Sequence, residues 1–151
     1  MKINLRTLPE EGQFLEGELD PAPYELPVEE GESWGPIRYA LQVQLIGEEC
    51  LVMGKIVAPL KAPCGRCLEP LTHDIKIPGF QHSFPAEGLE AIDLTLQIRE
   101  DIVLGLPLVV RCVLGTDGKC PITGKTHAAA ADNSPMLRGD IWGALDKLKE
   151  K

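Results

Sequence analysis

The chain carries five cysteines, and four of them fall into two groups whose spacing could do chemistry. Cys64 and Cys67 bracket a Gly-Arg dipeptide, while Cys112 and Cys120 lie in a Gly-rich stretch further along. Two thiols with two residues between them serve a zinc site and a thiol–disulfide exchange centre equally well. Brought together, the two groups would offer four thiolates to one tetrahedral ion, for which zinc is the natural candidate. The first pair has the tight spacing of a zinc hook, and Gly65 would let the backbone turn around the ion. The second pair has seven residues between its members, looser than the usual spacing of ligands. Redox chemistry would need Cys64 at the start of a helix, whose dipole lowers a thiol pKa. Pro70 and the alternating residues after it point to a strand instead. A third reading, reduced thiols packed as small apolar side chains, suits Cys50 best because it opens a strand.

Lys61, Arg66, Arg111 and Lys119 each lie within three residues of one of the four thiols. Four thiolates on a divalent ion leave a charge of about −2, which such cations would stabilise. The same cations could contact RNA phosphates, or form a solvated rim. His127 could replace Cys112 or Cys120 as a ligand, although its alanine-rich surroundings favour solvent exposure. His73 and His82 have no acid, thiol or serine partner at a recognisable spacing. The segment "GTDGKCPITGKT" ends like a phosphate loop, but Lys119 stands where its first glycine is required.

These side chains must be positioned by elements that read mostly as strands. "INLRTL" is a short strand near the start, and "QFLEGEL" a short edge strand inside an acidic segment with five prolines (Pro9, Pro21, Pro23, Pro27, Pro36), which excludes a long helix or central strand there. Tyr39, Leu41, Val43 and Leu45 alternate with Ala40, Gln42 and Gln44, and "GEE" at 47–49 is a turn. Residues 37–62 therefore form a long antiparallel hairpin. "LTHDIKI" gives a third alternating strand and "AIDLTLQI" a fourth. Ile98, Ile102 and Leu106 then recur four apart, predicting a helix of one or two turns stopped by Pro107. Asn133 or Ser134, with Pro135, starts a C-terminal helix lined by Ile141, Leu145 and Leu148.

The expected fold is α+β and mainly β: an antiparallel sheet or partly open barrel with a short helix after the fourth main strand and a C-terminal helix. One domain is expected, with residues 1–35 as N-terminal strand and acidic Pro-rich arm, 36–127 as β-rich core with the cysteine loops, and 128–151 as spacer and helix. The net charge of −8 looks hostile to nucleic acid, but it is unevenly spread. Residues 7–35 hold nine acids and no Lys or Arg, whereas residues 36–151 hold 13 basic and 14 acidic side chains. The arm reads as a solvated segment that aids solubility, or as a surface for a protein partner. No apolar stretch has the length of a signal peptide or membrane span. A cytoplasmic, reducing location follows, where five cysteines do not form a disulfide framework.

Taken in order, "CGRCLEPL", "IDLTLQIREDIVLGLPLVVRC", "GKCP" and a terminal "ALDKL" resemble the YceD-like family, the large ribosomal RNA subunit accumulation proteins of bacteria and plastids. The resemblance covers about residues 36–151, and Cys-x-Arg-Cys-Leu at 64–68 is its most specific part. Asp93, Leu94, Glu100, Leu104, Pro107, Cys112 and Cys120 sit where the family's second motif places such residues. It implies a non-catalytic ribosome-biogenesis factor supporting accumulation or processing of large-subunit ribosomal RNA. Its partners would be precursor RNA or assembly intermediates, reached directly or through a protein, with no membrane and no small-molecule substrate. Cysteine-rich members carry a further Cys-Gly where Thr123 and Gly124 stand here, so zinc in this chain must rest on Cys64, Cys67, Cys112 and Cys120. The competing readings are a thiol–disulfide redox protein using Cys64 and Cys67, and an acidic protein-binding adaptor. Aromatic residues are too few to form a stacking platform for single-stranded RNA.

Overall fold

A computed structural model describes residues 1–126 of the chain. The expected C-terminal helix and His127 lie outside the described residues. The chain divides into two compact units, Met1–Arg111 and Cys112–Lys151.

The first unit is built on a five-stranded antiparallel sheet that does not close. Its centre is β5 (Glu49–Pro63), which pairs with β6 (Pro70–Pro85) along its whole length. The opposite edge of β5 is shared by β4 (Ile37–Ile46) and then by the two-residue β3 (Ser33–Trp34). On the far side of β4 lies β2 (Gln13–Leu19), the expected edge strand, whose glutamates face solvent and whose outer edge is unpaired within the sheet. A separate pair joins β1 (Lys2–Asn4) to β7 (Ala91–Asp93).

The period-two pattern explains the hairpin. Ile37, Leu41 and Val43 of β4 and Cys50, Val52, Ile56 and Ala58 of β5 all bury on one face, as alternation requires. That alternation runs on through Leu60 and Ala62 to Cys64, so the strand itself aims the first thiol inward.

Two segments differ from their sequence expectation. β6 continues past Ile77, where Pro78-Gly79 reads as a stop. A β-bulge absorbs these two residues: Gly54 pairs with Phe80, but Ile56 pairs with Ile77. The extra residue reverses the parity, so Ile75 buries before it and Phe80 after it. The fourth strand stops at Asp93 instead of running to Ile98, and the helix α1 covers Thr95–Leu104. Leu94, Ile98 and Ile102 are buried while Leu96 is exposed. A spacing of four satisfies both a strand face and a helix face, and Leu96 is the residue that separates the two. The Asp93 side chain accepts from the Thr95 backbone N–H at 3.0 Å, turning the chain from strand into helix. Gly105 caps the other end, two residues before Pro107.

α1 and the β1–β7 pair cover the buried sheet face, closing a core that includes Ile3, Ile92, Leu94, Ile98, Ile102 and Phe80. His82 of β6 lies 3.1 Å from Asp101 of α1, a partner 19 residues away that no local spacing reveals. The acidic segment is not simply solvated, since Tyr24 and Leu26 are buried in the same core and Arg99 Nε donates to the Glu25 carbonyl at 3.4 Å. Its carboxylates are exposed apart from half-buried Glu32, but Tyr24 and Leu26 anchor it. A second cluster of Leu60, Ala62 and Val110, with Trp34, Leu71 and Leu106 against it, holds residues 106–110 on β5. No helix among the described residues is long and apolar enough to cross a membrane.

Candidate metal centre

Cys64 lies one residue past the end of β5, where the chain turns into β6. Its backbone N–H donates to the Glu69 carbonyl (2.9 Å) and its carbonyl accepts from Leu68 N–H (2.9 Å), closing a tight turn around Gly65-Arg66-Cys67. Leu68 takes the left-handed conformation, with φ 64°. Within the turn the Arg66 backbone N–H donates to Cys64 Sγ at 3.4 Å. Cys64 is completely buried and Cys67 half-buried.

Gly65 serves this turn differently from expectation. Its φ is not positive; instead, a Cβ there would lie 2.4 Å from Val109 Cγ1. The missing side chain lets Val110 reach the turn, and Gly65 N–H donates to the Val110 carbonyl at 2.8 Å. The backbone two residues before Cys112 is thereby fixed against the first thiol turn.

In the second unit, the sulfurs of Cys112 and Cys120 are 3.5 Å apart, far beyond a disulfide bond of about 2.0 Å. Both residues are buried. Cys120 begins a turn through Pro121, Ile122 and Thr123. Hydrogen bonds from the Thr123 hydroxyl and backbone amide, with smaller ones from the Ile122 amide and Cys112, hold its thiol down to about 6 against the opposing effect of burial. Cys50 is the contrary case: it is buried in the core, and desolvation pushes its thiol up.

The sulfurs of Cys64, Cys67 and Cys112, the residue that follows Arg111, all lie within 4.8 Å of one another. Sulfurs sharing a tetrahedral ion at about 2.3 Å from each are separated by about 3.8 Å. The donor set fits: soft sulfur ligands, with Cys64, Cys112 and Cys120 buried and the Arg66 amide directed at Cys64. This cluster could hold a metal ion.

The basic residues are placed less uniformly. Lys61 and Arg111 are exposed, Arg66 is half-buried within the first turn, and exposed Lys119 pairs with Asp117 at 3.7 Å. The sequence marked Thr123 only through the resemblance, as the position of a further family cysteine; its effect on the Cys120 thiol is visible only in the folded turn. No family model, no curated protein and no solved structure matches this chain.

Proposed function

We propose that the chain is a zinc-clipped, non-catalytic factor in assembly of the large ribosomal subunit, acting in the cytoplasm on precursor RNA or early assembly particles. The observation that carries the metal reading is the gathering of thiol sulfurs within 4.8 Å, joined by the 3.5 Å approach of Cys112 to Cys120. Cys64, Cys67, Cys112 and Cys120 would hold the ion. Zinc has no redox chemistry of its own, and in a closed site of sulfur ligands it contributes folding energy. The surroundings of Cys64 weigh against thiol exchange, since it is fully buried and a turn and then a strand follow it, leaving no helix dipole to activate it.

The ribosomal reading rests on the resemblance carried by Cys-x-Arg-Cys-Leu and the residues from Asp93 to Cys120. Two features of the first unit suit it. Exposed Lys61 and Arg111 offer phosphate contacts, and Leu68, Leu104 and Leu108 are almost wholly exposed, offering apolar area to a protein partner.

Gene removal followed by ribosomal profiling tests this reading. Loss of the gene is expected to lower large-subunit ribosomal RNA relative to small-subunit RNA, with the intact gene restoring it. The variant K61E/R111E is expected to restore it less and to co-sediment more weakly with pre-ribosomal particles. An unchanged RNA ratio on gene removal would contradict the proposal. A readily reversible Cys64–Cys67 disulfide in the purified protein would favour thiol exchange in its place.

A further inference from the structure

A cleft of about 340 Å³ runs beside the end of β5, built wholly from residues of the first unit. Buried Leu60 and Ala62 form its floor, with the segment from Leu106 to Val110 on one side and the loop after Pro27 on the other. Both sides are held in place. Trp34 Nε1 donates to the Pro27 carbonyl at 2.9 Å while β3 pairs Trp34 with Leu60, which fixes the loop against β5. Leu106 and Val110 pack on Leu60 and Ala62, and the Val110 carbonyl accepts from Gly65 N–H. A cleft held this way is preformed, which lowers the ordering cost of binding. Its lining is apolar except for Glu29 and Glu32. Glu29 N–H donates to Glu32 Oε2 at 3.0 Å and Glu32 N–H to the Glu29 carbonyl at 3.1 Å, so a tight turn sets both side chains at the rim. Across from them Leu108 is fully exposed and Val109 exposed. A lone exposed leucine is ordinary, but this one borders a cleft whose charged groups are all acidic.

We infer that this cleft binds a basic amphipathic segment of a partner protein, its aliphatic side chains seated on Leu60, Ala62, Leu108 and Val109 and its Lys or Arg paired with Glu29 and Glu32. Such a segment lays an apolar face into a groove and meets the rim with charge of the opposite sign. The inference deepens the proposed function by naming the chemistry of the protein partner, and rests on that reading only for where the partner is found. Two other occupants fit worse. RNA would bring phosphates against two carboxylates, and a second copy of a chain with net charge −8 would bring mainly acids.

Fluorescence anisotropy with the full chain tests this, using a labelled peptide of repeated Lys-Leu-Leu-Lys units as probe in about 0.15 M salt. The chain is expected to bind it at least about tenfold tighter than peptides of Glu-Leu-Leu-Glu or Lys-Ser-Ser-Lys units. E29Q/E32Q and L108S are each expected to weaken binding at least about fivefold. The first keeps an acceptor for the Glu29 amide and the second alters a fully exposed side chain, so both are expected to keep the wild-type melting temperature. E16Q/E18Q removes the same charge from β2 and is expected to change affinity less than about twofold, because distant charges are screened. A probe that does not bind, one indifferent to L108S, or equal weakening by E16Q/E18Q and E29Q/E32Q would overturn the inference. So would a labelled single-stranded RNA whose binding is lost in L108S. None of these outcomes depends on ribosomal RNA levels after gene removal, so the cleft and the proposed function fail separately.

Discussion

At the scale of single residues, the five thiols divide by environment. The Cys64 sulfur receives the Arg66 N–H and hydrogen bonding led by Thr123 lowers the Cys120 thiol, while Cys50 sits in the apolar core with its thiol pushed up by desolvation. The division predicts opposite behaviour on substitution. C64S and C120S are expected to lose zinc and to lower the melting temperature, measured by calorimetry, because the ion's binding energy is part of the folding energy. C50A should keep full zinc content and cost only about 1 kcal/mol, the usual price of deleting a small buried group. Cysteines were legible as metal-ligand candidates because grouped thiols have few uses, and the structure gathers Cys64, Cys67 and Cys112 within 4.8 Å. The position of Thr123 was legible only from the resemblance, and its effect on the Cys120 thiol was not. Nor was the role of Gly65, which depends on Val109 arriving from 44 residues away in sequence.

At the scale of elements, alternation placed the β4–β5 hairpin correctly, because one buried face imposes period two on the residues that line it. It failed where two periods coincide: Leu94 and Ile98 suit a strand and a helix alike, and burial on α1 settled the matter. I98A is accordingly expected to destabilise the fold by about 2–5 kcal/mol in denaturant titration; a loss below about 1 kcal/mol would mean that α1 is not docked as described. The bulge opposite Gly54 makes a sharper prediction. Gly54 has φ 155°, and a Cβ there would lie 2.2 Å from the Ala40 carbonyl oxygen. G54A should cost at least about 2 kcal/mol by the same titration, through strain in the two central strands.

At the scale of the molecule, charge was the least reliable guide. The nine acids of residues 7–35 suggested a solvated arm, yet Tyr24 and Leu26 insert into the core of the first unit. Composition averages over a segment, whereas burial is decided by two of its side chains. Burial, with smaller effects from Asp93 and Tyr39, pushes the Tyr24 hydroxyl up to about 12 from 10.0. Because the folded value lies above the unfolded one, this contribution is complete below about pH 10 and is lost as pH rises toward about 12. The Y24F variant should therefore lose less stability than wild type between those pH values, as measured by denaturant titration. Equal losses would place Tyr24 in contact with solvent.

The central claim is that thiolates from distant parts of the sequence share one ion. Zinc-edge X-ray absorption on the purified chain tests it most directly, with metal content measured on the same sample. The account predicts one zinc per chain surrounded by four sulfurs at about 2.3 Å. A metal-free chain whose melting temperature is indifferent to chelator, or a zinc bound mainly through nitrogen and oxygen, would contradict it.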